Sequence, residues 1–335
     1  MRPGERIGGL DAMRGVAVAL VMTHHASPNW MPGAGVVGVN VFFALSGFLI
    51  TRLLLDEFRS RGRIDLASFF ARRAVRLMPA LIAMLVVYTA VTLALDPLGQ
   101  RAMLSHGIFA ALTFTSDIPS WKAGADLYHL WTLGVEAQFY LIWPLMLVFA
   151  LPRGRGTLAV FIVLCTAAAL SIATLVWFWE APDLSYALPT PWLSALVIGG
   201  WYACAAPGRE RSRLELTLAT TLLAVLCMLP LRGHHLTYVM VAPLVALATC
   251  QWIVSVVARP VSGIGTTSRL LAALGAVSYA AYIWDYPLTL WCERAFAGTG
   301  RLTALPLTIA IALLSRQYIE RPAVRIYRTW EARWN

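Results

Sequence analysis

Three observations predict an all-α membrane protein. Charged residues make up only 13% of the 335-residue chain, hydrophobic residues make up 59%, and long apolar runs recur from end to end. Soluble domains carry about 25% charged residues. A run of about 20 apolar residues crosses a bilayer as a helix, and lipid obliges its backbone N–H and C=O groups to pair within the segment. The runs are continuous rather than alternating, which argues against a transmembrane β-barrel.

Eleven apolar stretches can be marked, at 10–27, 36–55, 76–95, 103–116, 127–151, 157–177, 188–206, 214–230, 236–257, 270–292 and 302–318. Basic residues collect on the cytoplasmic side of membrane proteins and so orient the chain. The loop after the second stretch carries Arg59, Arg61, Arg63, Arg72 and Arg73, with Arg76 at the next helix. It is assigned to the cytoplasm, together with Arg2 and Arg6. Four later basic segments are Arg153/Arg155, Arg209/Arg211/Arg213, Arg259/Arg269 and a tail with Arg321, Arg325, Arg328 and Arg333. All four are cytoplasmic only if one stretch fails to cross. The stretch at 103–116 is the shortest, contains His106 and ends in Thr-Ser-Asp. It reads as a re-entrant or interfacial helix on the outer side.

The expected fold is therefore about ten transmembrane helices plus one short re-entrant or interfacial helix, with both termini cytoplasmic. On this topology 22 of the 27 Lys and Arg residues lie inside; Arg101, Lys122, Arg232, Arg294 and Arg301 lie outside. Segment 64–75, with Ile64, Leu66, Phe69 and Phe70 beside Arg72 and Arg73, reads as an amphipathic helix on the inner surface. A single transmembrane domain over 1–335 is expected, with no extra soluble domain. No cleavable signal is expected either, since the first apolar run holds Asp11 and Arg14 and no small-x-small site follows it.

The net charge of +10 is explained by the inner-side arginines, so no nucleic-acid partner is inferred. The cysteines Cys165, Cys204, Cys227, Cys250 and Cys292 have neither metal-ligand nor redox spacing. They read as small buried hydrophobes. No metal-spaced His/Asp/Glu set and no phosphate-cradling glycine loop occurs, so no metal or resident cofactor is expected. Ser46-Gly47 and Gly199-Gly200 read as close helix packing.

Ionisable residues inside apolar runs are costly and so point to function. The first stretch carries Asp11, Arg14, His24 and His25. Asp11 and Arg14 are three apart and share a face. Arg14 and His25 are eleven apart, and at about 100° per residue they return to within roughly 20° of each other, with a rise of about 16 Å. His24 points away from that stripe. An interfacial ion pair for Asp11/Arg14 and an outward-facing interfacial histidine for His25 remain the structural alternatives. The fifth stretch carries His129 near its outer end and Glu136, roughly 14 Å deep. A carboxyl there must be paired, protonated or in a wet cavity; a purely structural hydrogen bond is the alternative. The tenth stretch carries Tyr279, Asp285 and Pro287 amid aromatics that read first as an interface belt.

Six motifs in order resemble the acyltransferase-3 family of integral membrane acyltransferases. They are Leu10-Asp11-Ala12-Met13-Arg14-Gly15 with His25; Gly38 to Thr51; Arg72-Arg73-Ala74-Val75-Arg76-Leu77-Met78-Pro79; His129-Leu130-Trp131-Thr132-Leu133 through Glu136 to Leu141; Ser278-Tyr279 to Pro287; and Tyr318-Ile319-Glu320-Arg321-Pro322. The resemblance implies about ten transmembrane helices, acyl-CoA as donor, and transfer of acetyl or another short acyl group to a hydroxyl, usually on a glycan or glycosylated small molecule. It implies a bacterial cytoplasmic (inner) membrane location, and His25 rather than His24 as catalytic residue. Two positions depart from the family pattern: Asn40 stands where Asp is common, and Asp285 where His is common.

On this resemblance His25 is the expected general base, with a covalent acyl-histidine route as the alternative, and Glu136 its catalytic helper, orienting a partner or the acceptor. Arg72, Arg73 and Arg76 are expected to bind the nucleotide and phosphates of acyl-CoA, since Arg contacts phosphate bidentately. Arg14 is expected to hold its pantetheine arm or a phosphate. Asp11, Asn40, Ser46, His129, Tyr279 and Asp285 are candidate substrate-binding residues, with Ser46 and Tyr279 as candidate oxyanion donors. The partners expected are acyl-CoA, a glycan or glycosylated acceptor and membrane lipids. A secondary transporter or flippase, or an inactive scaffold of the same fold, is the rival reading.

Overall fold

The computed structural model describes residues 8–118, 126–205, 211–258, 265–296 and 298–334. Arg2, Arg6, Lys122, Arg209 and Arg259, which enter the charge asymmetry, lie outside the described residues. Every regular element among the described residues is helical. In chain order they are α1 (Gly8–Ala26), α2 (Ala34–Arg61), α3 (Leu66–Ala94), α4 (Leu104–Thr113), α5 (Trp131–Ala150), α6 (Gly156–Trp177) and α7 (Leu193–Ala205). There follow α8 (Arg213–Met228), α9 (Ala242–Ala258), α10 (Thr266–Ala276), α11 (Ser278–Ala295), α12 (Gly300–Ser315) and α13 (Arg321–Trp334). Single π-helical turns at Thr237–Val241 and Arg316–Glu320 lead into α9 and α13.

Among the described residues, six helical segments are long and apolar enough to cross a membrane: Ala34–Arg61, Leu66–Ala94, Tyr128–Arg153, Gly156–Trp177, Thr237–Ala258 and Gly300–Glu331. α7 is apolar but has 13 residues, α8 has 16, and α11 carries Asp285, Glu293 and Arg294 within its 18. A ten-residue helix, α4, stands where the short helix was expected.

Two expectations are corrected. Segment 64–75 is not a separate surface helix but the first turns of α3, which runs unbroken through Pro79 to Ala94. Asp65 starts it as N-cap, its side chain accepting the Ser68 N–H at 3.0 Å and the Ser68 hydroxyl at 2.8 Å. Pro79 removes one helical hydrogen bond, and the packed context carries the helix past it. The stretch at 270–292 is not one helix: it breaks at Val277 (φ −110°, ψ 7°) into α10 and α11.

Asp65→Ala is expected to lower stability by about 1 kcal/mol, read as a lower melting temperature. The Ser68 backbone bond holds the Asp65 carboxyl below its ordinary value of 3.8. A depressed carboxylate stabilises the fold above its ordinary pKa and loses that contribution as pH falls through its lowered folded value. The difference between parent and variant should therefore persist at neutral pH and disappear only in acid.

The described helices fall into two compact units. The first comprises Met1–His24, Pro28–Ile64 and Thr132–Ala276. α2 runs through its core, with Val37, Ala44, Ile50 and Leu54 fully buried. Gly47 and Gly199 let α2 and α7 touch: a Cβ on Gly47 would stand 1.9 Å from the Leu196 carbonyl oxygen, and one on Gly199 2.1 Å from that of Ala44. This is the close approach that small residues permit where no hydrophobic effect drives helices together. The buried Trp143 of α5 donates its indole N–H to Thr51 of α2 at 2.7 Å. α1 and α10 meet as closely, since a Cβ on Gly275 would lie 1.7 Å from the Asp11 carbonyl oxygen. Gly47→Ala is expected to force α2 and α7 apart at a cost of about 1–3 kcal/mol, typical of overpacking, and the loss should appear as a lower midpoint in thermal unfolding in detergent.

The second unit comprises His25–Ser27, Asp65–Trp131 and Val277–Asn335. Here α11 lies between α3 and α12. The Tyr279 hydroxyl donates to the Leu77 carbonyl at 2.9 Å, and Tyr88 stacks on Trp291 with ring centroids 6.2 Å apart. A Cβ on Gly300 would stand 2.1 Å from the Cys292 carbonyl oxygen, so the start of α12 presses directly on α11. The long helix from Gly300 closes on α3 through Arg72 and Glu331, 3.6 Å apart.

Candidate active site

The site grows from three helix termini of the second unit. α1 stops at Ala26 because Pro28 disfavours helix at the residue before it. His25 thus sits in the last helical turn, and its side chain meets α11. On α11, Tyr282, Asp285 and Tyr286 are three and four apart, so they share one face. His25 Nδ1 lies 2.6 Å from Asp285 Oδ2, and Asp285 is fully buried.

This geometry sets the chemistry of His25. Nδ1 must carry the proton to bond a carboxylate, so the lone pair falls on Nε2. The carboxylate orients the ring and stabilises the imidazolium that forms when Nε2 takes a proton. Asp285 Oδ1 has no hydrogen-bond partner among the described residues, so Oδ2 on His25 is the side-chain contact that anchors this buried carboxyl.

His129 is placed by a proline. Pro287 has no N–H, so the Ile283 carbonyl four residues before it loses its helical donor. His129 Nε2 fills that vacancy at 3.1 Å, and the Tyr282 hydroxyl returns a bond to the His129 carbonyl at 2.8 Å. A carbonyl partner requires Nε2 to be the protonated nitrogen. The Tyr286 ring contacts both imidazoles, with centroids 4.9 Å from His25 and 5.3 Å from His129. Pro287→Ala is expected to restore the helical bond to Ile283 and weaken the His129 contact, reducing activity about tenfold at unchanged protein level, a small positional error by catalytic standards.

Arg301, at the start of α12, reaches the His25 carbonyl with Nη1 at 3.4 Å and holds Glu293 with Nε at 2.7 Å. A cation suits the exposed carbonyls of a helix C-terminus. Three residues before His129, Asp126 is buried, and burial pushes its carboxyl above the usual carboxylate value against the Tyr88 hydroxyl bond that lowers it.

The remaining expected residues fall into separate groups. In the first unit, Glu136 accepts the Ser46 hydroxyl at 2.7 Å and the Tyr140 hydroxyl at 2.8 Å. Asp11 and Arg14 form their expected pair at 3.3 Å. Asn40 is buried and bonds back to Val36 of its own helix at 2.9 Å. His24, off the His25 stripe, lies 3.4 Å from the Met31 carbonyl through Nδ1. In the second unit, Arg72 pairs with Glu331, the Arg73 guanidinium lies 5.8 Å from the Phe69 ring centroid, and Arg76 is exposed. The Ser46 and Tyr279 hydroxyls, read as oxyanion donors, give their protons to Glu136 and to the Leu77 carbonyl in this structure.

Tyr282, Tyr286, Arg301 and Asp126 were not among the expected site residues. The two tyrosines carried a usable signal, their spacing with Asp285 on one helical face. Arg301 and Asp126 carried none, because only the tertiary fold brings them in.

Known proteins resemble this chain. A Bacillus subtilis (strain 168) protein provisionally named peptidoglycan O-acetyltransferase YrhL is 31% identical, over 94% of this chain and 54% of its own length. A Staphylococcus aureus (strain COL) protein provisionally named as an O-acetyltransferase is 39% identical, over 42% of this chain and 25% of its own. The O-acetyltransferase OatA of Staphylococcus aureus (strain NCTC 8325 / PS 47) is 36% identical, over 43% and 25%. The chain thus spans about half the length of the first relative and a quarter of the other two. No solved structure matches it significantly. Residues 7–315 match the family described as an acyltransferase domain, and the chain belongs to that family, acyltransferase-3.

Proposed function

We propose that this chain transfers an acyl group, acetyl in the simplest case, from cytoplasmic acyl-CoA to a hydroxyl of an extracytoplasmic or lipid-linked glycan or glycosylated small molecule. The observation that carries this reading is the 2.6 Å bond between His25 Nδ1 and the buried Asp285 carboxylate. It leaves a base at Nε2, which is what a hydroxyl nucleophile needs near neutral pH. The peptidoglycan relative favours a cell-wall glycan as acceptor.

In the proposed reaction, His25 Nε2 removes the acceptor hydroxyl proton as the oxygen attacks the thioester carbonyl. The new C–O bond forms, the tetrahedral adduct collapses, and the C–S bond breaks. The departing thiolate takes the proton back from Nε2, so His25 ends neutral. Asp285 holds the ring through both steps. Arg72, Arg73 and Arg76 hold the donor's phosphates, and Arg14, paired with Asp11, is the further cation assigned to it. Glu136, anchored by Ser46 and Tyr140, is assigned to positioning.

The test is transfer of labelled acetyl from acetyl-CoA to membrane glycan, with acyl-CoA binding measured in parallel on Arg72→Ala/Arg73→Ala. Transfer by the parent, and binding weakened at least about tenfold in the double variant, supports the enzyme. Unaltered binding at equal membrane abundance favours a transporter or scaffold.

A further inference from the structure

We infer that two loops of the first unit, 178–192 and 229–237, form a glycan-binding platform on which Trp179, Asp183 and Arg232 are the contact residues. The inference deepens the glycan acceptor proposed above and rests on that reading. None of the three side chains takes part in the groups already described.

The loops are built as a rigid support. Trp192 is fully buried and donates its indole N–H to the Tyr186 carbonyl at 2.7 Å. Its ring meets those of Tyr186 and Tyr238, with centroids 5.7 and 5.9 Å away. The Tyr238 hydroxyl, in the helical turn that follows the second loop, reaches the first loop and donates to Asp183 Oδ1 at 2.7 Å. His235 Nε2 donates to the Trp179 carbonyl at 2.8 Å, and its ring lies against the Trp179 indole with centroids 4.2 Å apart. Gly233 turns the second loop at φ +83°, a conformation that favours glycine.

On this support three different chemistries stand open to solvent. Trp179 is 55% exposed although its indole is held on one side by His235. The Asp183 carboxylate is 54% exposed; Oδ1 is engaged by Tyr238 and Arg232, and Oδ2 accepts no bond among the described residues. The Arg232 guanidinium is 60% exposed, lies 3.8 Å from Asp183 and is 4.6 Å from the Tyr186 ring centroid. An exposed pair of this kind adds little stability, so stability does not account for its placement.

A pyranose has what this set lacks. Its C–H face covers an indole, its hydroxyls donate to a carboxylate, and its ring or acetamido oxygens accept from a guanidinium. Binding sites of this sort combine an aromatic surface with a few fixed polar groups. On the arginine-based topology both loops open on the outer side, where an extracytoplasmic glycan would be met. An interface-belt tryptophan would need neither the carboxylate nor the guanidinium beside it.

The probe is a fluorescent N-acetylglucosamine tetrasaccharide, titrated onto the purified full chain in lipid nanodiscs. Trp179→Ala should weaken binding at least about tenfold, as truncating a tryptophan anchor does. Trp179→Phe should keep most of it. Asp183→Asn, which retains an acceptor for Tyr238, should weaken binding severalfold at an unchanged melting temperature. Equal affinity of parent and Trp179→Ala, or no binding by the parent, overturns the platform. Transfer assays separate the two readings. Tetrasaccharide binding with no acyl transfer by the parent would sink the acyltransferase reading alone. Transfer with an unchanged KM for glycan in Trp179→Ala would sink the platform alone.

Discussion

His25→Ala is expected to reduce acyl transfer by about 10²–10⁴-fold in kcat, the range that a positioned general base contributes. The KM for acyl-CoA should change little, because the phosphates are assigned to arginines and not to the imidazole. The loss should be specific to chemistry, since His25 sits in the last turn of α1 and holds Asp285 through Nδ1. The check is labelled transfer by parent and variant at equal membrane abundance. Persistent transfer at the parent level would remove His25 from the reaction and direct attention to His129, whose imidazole shares the Tyr286 ring, and to His24.

The helical, membrane-type architecture was legible because its causes are local. Apolar length and the loss of charge are written along the chain, and a single turn of arithmetic separates His25 from His24. The Asp11–Arg14 pair is legible for the same reason, being one helical turn apart. Gly47 and Gly199 could be read as packing residues, but not which helices they join. The continuity of α3 was misread because Arg72 and Arg73 gave segment 64–75 a surface character. Nothing between Asp65 and Pro79 breaks the helix, and Pro79 does not either. The break at Val277 has no sequence marker of the usual kind, since Gly275 is occupied with packing against α1.

The site divides in the same way. Asp285 was visible as a costly acid, yet its partner lies 260 residues earlier, and no periodicity reports such a pair. The sequence marks it as a candidate substrate-binding residue, and the structure places its Oδ2 2.6 Å from His25. The placement of His129 was half legible. Pro287 announces that the Ile283 carbonyl is without a helical donor, but only the fold shows that His129 supplies one.

Asp285→Asn should be nearly as damaging as removing His25. An amide at this position can donate to Nδ1, which moves the imidazole proton to Nε2 and takes away the base. Even in the other amide orientation, the negative charge that stabilises the imidazolium is gone. The same change in a Ser-His-Asp enzyme lowers kcat about 10⁴-fold with geometry intact, and a loss of about 10²–10⁴-fold is expected here. Asp285→His is the informative companion. Histidine is the residue that the family pattern implies at this position, and a neutral imidazole can accept the Nδ1 proton of His25 through its own unprotonated nitrogen. It keeps the tautomer but not the charge, so its activity should fall between parent and Asp285→Asn. The measurement is kcat for the three proteins in one membrane assay, with melting temperatures to confirm folding. If Asp285→Asn keeps parent kcat while folded, the 2.6 Å contact is structural and another group must orient His25. If Asp285→His is as inactive as Asp285→Asn, the charge and not the tautomer is what Asp285 supplies.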